Sequence, residues 1–234
     1  MTAAGAVLAV AVLARGVPAL AAERAPVPTA TATGGPADGV LARVQAAEDR
    51  IRDVSLKFRQ VTLLKGTGDT QATTGQLALL RAPERFRVRF TSPAEQVALY
   101  DGAFLWLWLP EVGQAFRQKA TAEDLGRILG INPAEPVRSF RRGYRARPGT
   151  CDGTGCTLDF VREGAQPMTW HVRVSATDWR MEEAWFENEE VKVTLSCYDY
   201  RVNTGLTGRD FRLKLPRDAE VQDGIPMMFG RGAP

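Results

Sequence analysis

Apolar and polar residues change their period once along this chain. Val40, Val44, Ala47, Ile51 and Val54 recur at spacings of four and three, which lays one apolar stripe along a helix. Asp38 stands just ahead of the stripe, where an N-cap is expected. From Leu56 onward the period falls to two. Leu56 and Phe58 alternate with Lys57 and Arg59. In RFRVRF (85–90), Phe86, Val88 and Phe90 share one face and Arg85, Arg87 and Arg89 the other, the mark of a strand with one covered and one wet face. Asp101-Gly102 predicts a hairpin turn between QVALY (96–100) and FLWLWL (104–109). FLWLWL is apolar on both sides, with Phe104, Trp106 and Trp108 opposite Leu105 and Leu107. Such a strand needs a second cover, a partner or a ligand.

Further strands are expected at 76–80, 114–118, 143–147, 156–161, 168–175, 180–187, 190–199 and 211–215. Only TAEDLGRILG (121–130) reads as helix again, with Leu125, Ile128 and Leu129 on one face. Asn132-Pro133 and Glu135-Pro136 then stop it. Strand follows strand without intervening helices, so a parallel α/β fold is excluded. The expected class is mainly β (α+β), with roughly ten antiparallel strands. A single sheet of that size curls. Its concave apolar face must be covered, and the N-terminal helix and the 121–130 helix are the available covers. The expected architecture is therefore one curved antiparallel sheet forming an open half-barrel.

The N-terminus has a different purpose. Residues 3–14 (AAGAVLAVAVLA) are apolar but fall short of the roughly 20 needed to span a bilayer. Ala19-Leu20-Ala21 follows as a small-x-small cleavage pattern. The reading is a cleavable export signal over 1–21 and a disordered Pro/Ala/Thr/Gly linker over 22–39. One domain then occupies 40–224, and 225–234 is a C-terminal tail containing Met227, Met228 and Phe229. The mature protein is expected outside the cytoplasm, in the periplasm.

Composition narrows the chemistry. At 44% hydrophobic and 24% charged, the chain is not disordered. Its 30 Lys and Arg against 27 Asp and Glu give a net charge of +3, and no basic stripe is built around stacking aromatics for nucleic acid. The alternating arginines of 85–90 read as a solvated sheet face rather than a patch for anionic lipid heads, and so do Arg138, Arg141, Arg142, Arg145 and Arg147. One histidine and three cysteines leave little material for a zinc site. Cys151 and Cys156 enclose a Gly-rich turn and predict a disulfide clamping a hairpin in an oxidising compartment. Their spacing is not that of a C-x-x-C redox pair. Cys197 reads as a buried free thiol. His171 sits in the alternating TWHVRV, facing solvent, with no G-x-S-x-G elbow, so catalysis is not expected. Gly66-Thr67-Gly68 is a hairpin turn without the rest of a phosphate-binding loop.

Several short motifs stand in a recognisable order. Phe58-Arg59-Gln60 comes after the first helix, and Gly75-Gln76-Leu77 after that. Pro83-x-x-Phe86-Arg87, Thr91-Ser92-Pro93-x-x-Gln96, Asp101-Gly102 and Leu105-Trp106 come next. Asn203-Thr204-Gly205-Leu206 then precedes Phe211-x-Leu213-x-Leu215-Pro216 and Val221. In this order, over roughly residues 40–224, the chain resembles the LolA group of periplasmic lipoprotein carriers. The resemblance implies an open half-barrel with helices as a lid and a pocket for the acyl chains of a lipoprotein. It implies cargo taken from an inner-membrane ABC transporter and delivered to an outer-membrane acceptor by a monomer, without covalent chemistry or cofactor. The pocket would draw on Phe58, Leu77, Leu79, Phe86, Val88, Phe90, Phe104, Trp106, Trp108, Leu125, Ile128 and Leu129. In that group a basic residue beside the proline latches the lid, often as Lys-Arg-Pro. Here Arg81-Ala82-Pro83 places the arginine one residue earlier, which reverses its face unless a bulge restores it. The alternative is a module of the same fold, either RseB-type and bound to an anti-sigma factor, or glycolipid-binding.

Overall fold

The switch of period from four to two becomes a switch from helix to sheet in a computed structural model, which describes residues 36–121, 144–163 and 167–225. Helix α1 runs Pro36–Asp49. It begins earlier than the stripe suggested, so Asp38 lies inside the first turn and residues 36–39 are helix rather than linker. Proline suits such a start, because its missing N–H is one that the first turn leaves unpaired anyway. Within the helix, Val44 is the buried member of the stripe, and Leu41, which the stripe left out, is buried beside it. Ile51 lies past the helix end, and Val54 belongs to the first strand. The expected signal, residues 1–21, the greater part of the linker, the 121–130 helix beyond Thr121, and the tail beyond Ile225 lie outside the described residues.

The strands are β1 (Asp53–Leu64), β2 (Thr70–Arg81), β3 (Glu84–Ser92), β4 (Gln96–Tyr100), β5 (Phe104–Leu109) and β6 (Gln114–Lys119). They continue as β7 (Arg145–Cys151), β8 (Gly155–Arg162), β9 (Met168–Ser175), β10 (Met181–Glu187), β11 (Val191–Val202) and β12 (Glu220–Asp223). All join one sheet in the order β12-β6-β5-β4-β3-β2-β1-β11-β10-β9-β8-β7. Two meanders, β1–β6 and β7–β11, are thus sewn together by β1 against β11. The sheet does not close, since β12 and β7 are its two edges.

Two expectations change. The sheet is not wholly antiparallel, because β12 runs parallel to β6, pairing Glu220 with Gln114 and Asp223 with Arg117. The strand expected at 211–215 is not one. Phe211 ends a 3₁₀ turn, Gly208–Phe211, and 212–219 is an arm without a ladder. The alternation of Phe211, Leu213 and Leu215 therefore reports one-sided contact, not strand pairing. The arm crosses the outer side of the sheet, and Phe211, fully buried, packs with Ala78, Leu80 and Leu206.

Register separates the two faces. Val54, Leu79, Phe86, Tyr100 and Leu105 are successive partners across β1–β5 and mark the inner face. The inner face continues through Cys197 of β11 opposite Phe58 to Ala184, Val172 and Leu158 on β10, β9 and β8. On the β8–β10 half, α1 contributes Leu41 and Val44 to a cluster with Phe160, Trp170, Val172, Val174 and Phe186. Each such side chain stabilises by about 1.5–3 kcal/mol when taken from water.

On the outer face, His171 does not simply face solvent. Its Nδ1 is 2.7 Å from the Asp159 carboxylate, and its ring stacks on Trp185 at 5.2 Å. The arginines of β3 are not a merely solvated row either. Arg87 donates to the Asp210 carbonyl at 2.8 Å, Arg85 reaches the Gly208 carbonyl at 3.5 Å, and Arg89 pairs with Glu95 at 2.6 Å. Two of the three strap the arm to the sheet. Arg145 and Arg147 are exposed beside Glu163, and Arg138, Arg141 and Arg142 lie outside the described residues.

Candidate functional site

The inner face of β1–β5 gathers aromatic side chains from strands distant in sequence. Phe58 meets Phe90 edge to face at 5.7 Å, and Phe86 stacks on Tyr100 at 6.2 Å. Val88, Ala98, Leu105, Ala120 and Cys197 complete this buried cluster, with Leu56 and Leu77 half-buried at its margin. Gly75 makes room for it. A Cβ there would stand 2.7 Å from Phe58 Cζ and 2.5 Å from the Arg89 carbonyl oxygen, so no side chain fits where the Phe58 ring crosses β2.

The cluster itself is apolar and uncharged. Burial pushes the Cys197 thiol up to about 11. Burial likewise raises the Tyr200 phenol, whose hydroxyl donates to the Met181 carbonyl at 2.6 Å. Both stay protonated at neutral pH, and neither offers a nucleophile. Gln60 and Thr62 are buried where β1 meets β11, joined by a long bond of 3.4 Å. They set a polar belt on the inner face, with Phe58 and its cluster on one side of it.

Of the residues expected to line a pocket, Phe58, Leu77, Leu79, Phe86, Val88 and Phe90 share this face. Phe104, Trp106 and Trp108 do not. Leu105 pairs with Tyr100, which fixes Leu105 and Leu107 inward and turns the three aromatics outward. There Trp106 donates to the Asp101 carboxylate at 2.9 Å, and the Arg117 guanidinium lies over the Phe104 and Trp106 rings. The second cover that FLWLWL demanded is thus met by outer-face contacts. Leu125, Ile128 and Leu129 lie outside the described residues. For Arg81, the ladder to β3 shifts only at Thr74/Gly75. With no bulge between Leu77 and Arg81, Arg81 keeps the parity of Leu77 and Leu79. Its Nε is buried with no hydrogen-bond partner among the described residues. Sequence reasoning left Tyr100 and Cys197 off the pocket, although it read Cys197 rightly as a buried free thiol; their register with Phe86 and Phe58 becomes visible only once the strand partners are known.

The family model described as "Outer membrane lipoprotein carrier protein LolA" matches residues 49–136. That window begins at the end of α1 and contains β1–β6, the half of the sheet that carries the Phe58–Phe86–Phe90 cluster. The chain is LolA-like. An outer-membrane lipoprotein carrier protein of Pseudomonas paraeruginosa is 23% identical over 185 residues, covering 76% of this chain and 85% of that one. One of Halorhodospira halophila is 26% identical over 192 residues, covering 79% and 87%. Among solved structures, an uncharacterized conserved protein from Thermus thermophilus superimposes with a TM-score of 0.55 at 15% identity, over 80% of this chain and 99% of that chain. This last likeness speaks for the fold alone. The sequence likeness is thus to lipoprotein carriers, and in the family model it is confined to the first half of the sheet.

Proposed function

We propose that this chain carries lipoproteins, or related acylated lipids, across the periplasm by holding their acyl chains against the inner face of β1–β5. Residues 1–21 direct export and are removed. Cargo comes from an inner-membrane ABC transporter and passes to an outer-membrane acceptor, by binding and not by catalysis. The observation that carries this reading is the apolar patch of the inner face on which Phe58, Leu77, Leu79, Phe86, Val88 and Phe90 lie together. An acyl chain gains about 0.8 kcal/mol per buried CH₂. A carrier must also let go. Phe86 and Phe90 are only 1% and 3% exposed here, so cargo must displace a cover already in contact with them. Cover and cargo then compete for one surface, which offsets part of the transfer gain and makes binding reversible. In this reading Arg81, on the same side of β2, is the residue that holds that cover shut.

The test is native mass spectrometry of protein purified from periplasm without detergent, with and without offered lipoprotein. Wild type is expected to carry an acylated adduct. Leu77→Glu, which places a carboxylate at the half-buried margin of the face, is expected to lose it. Trp106→Ala, on the other side of the sheet, is expected to keep it. Thermal denaturation of each variant checks folding. An adduct lost in Trp106→Ala and kept in folded Leu77→Glu would refute the assignment of the face.

A further inference from the structure

The outer face holds a concavity of its own. Between the sheet and the arm at 209–214 lies a groove of about 690 Å³. Its floor is the outer side of β1–β5 and β11, including Val97, Leu99 and Trp108. Seven cationic side chains and three carboxylates line it, a net of +4 where the whole chain nets +3. The carboxylates are already engaged. Glu95 pairs with Arg89 at 2.6 Å, and Asp199 pairs with Lys57 at 2.7 Å. Asp210 accepts from the Thr207 N–H at 2.7 Å and its hydroxyl at 3.0 Å. Arg201, Arg209, Arg212 and Lys214 are left without a carboxylate partner among the described residues, facing one space from β11 and from the arm. Like charges gathered around one space repel, and an anion bound among them relieves that repulsion. Guanidinium groups in a fixed fork suit phosphate oxygens. The volume exceeds what one inorganic phosphate fills.

We propose that this groove binds a phosphorylated ligand, with phosphate oxygens held between Arg201 of β11 and Arg209 and Arg212 of the arm. The source is a phospholipid headgroup or a soluble phosphate ester, and the two separate experimentally. The full mature chain is titrated calorimetrically with inorganic pyrophosphate. The expected result is one saturable site, weakened about tenfold in R209Q/R212Q and unchanged in R145Q/R147Q, which removes equal charge at the far edge of the sheet. Both pairs are exposed, so neither variant threatens folding. Flotation with phosphatidylcholine vesicles containing phosphatidylglycerol, lost in R209Q/R212Q, assigns the headgroup; pyrophosphate binding without flotation assigns the soluble ester. The proposal is overturned by absence of saturable binding or by equal loss in R145Q/R147Q. It is also overturned if polyglutamate binds and pyrophosphate does not, which would give the groove to an acidic peptide. Lipoprotein uptake is read separately and is expected unchanged in R209Q/R212Q.

Discussion

One carboxylate fixes the start of the arm that leaves β11. Asp53, 4% exposed, accepts from the Thr204 N–H at 2.8 Å, the Thr204 hydroxyl at 3.0 Å and the Gly205 N–H at 3.1 Å. Asn203 adds its side chain to the Arg52 N–H and the Arg50 carbonyl. Asn203 and Gly205 both adopt positive φ, 55° and 84°, which these residue types tolerate. The motif Asn203-Thr204-Gly205-Leu206 was therefore visible as a sequence pattern, while its partner, about 150 residues upstream, was not. Burial alone would push the Asp53 carboxyl up, but the bonds from Thr204, Gly205 and Leu206 outweigh it and hold the carboxyl below its ordinary 3.8. A group depressed on folding stabilises fully above its unfolded value and loses that contribution as pH falls through the folded one. Asp53→Asn replaces an acceptor with a donor facing N–H groups and is expected to cost about 2 kcal/mol at neutral pH. Urea denaturation at pH 7 should show the gap between wild type and variant. Repeating it below pH 3.8 should show the gap narrowing.

Elements were legible where alternation coincided with pairing, and misread where it did not. β3 was readable because the period of RFRVRF matches a real ladder on both sides, to β2 and β4. The arm around Phe211 alternates too, but its apolar side chains face a sheet already formed, and its backbone joins no ladder. β12, with EVQD exposed throughout, carries no periodic signal, and only the return of the arm brings it parallel to β6. The β7–β8 hairpin was predictable from its cysteines. Cys151 and Cys156 are bonded and directly opposed across the strands. Asp152 tightens the turn by accepting from Thr154, Gly155 and Arg173, which holds its carboxyl well below the usual range. Closing so short a loop restricts the unfolded chain by about 2 kcal/mol in the loop-entropy account. C151S/C156S should therefore lower the free energy of unfolding, read from urea denaturation, by about that amount while leaving the far-ultraviolet spectrum native. A larger loss, with strand content gone, would mean that the hairpin nucleates the β7–β11 meander rather than merely bracing it.

At the scale of the molecule, the proposed function gives a single sheet two separable tasks along its inner face. The β8–β10 half packs against α1 through Leu41 and Val44, and its largest fully buried side chains, Phe160 and Phe186, are 0% and 1% exposed. The β1–β5 half carries Phe58, Phe86 and Phe90 beyond Gln60 and Thr62, whose buried polar groups interrupt the apolar surface. A packed core resists change because every side chain has partners on all sides, whereas a surface that alternates between cover and cargo must open at modest cost. These demands fall on different halves. The sequence could not reveal the division, because inward residues of both halves obey the same period of two, and only register assigns FLWLWL its inner leucines and outer aromatics. Hydrogen exchange read by mass spectrometry, with and without a lipopeptide bearing palmitoyl chains, tests it directly. Peptides covering β1–β5 are expected to change protection on loading, while those covering α1 and β8–β10 remain as they were. Equal change along the whole sheet would mean that acyl chains enter under α1 as well. The helix would then be part of the moving cover instead of the fixed wall against which the other half opens.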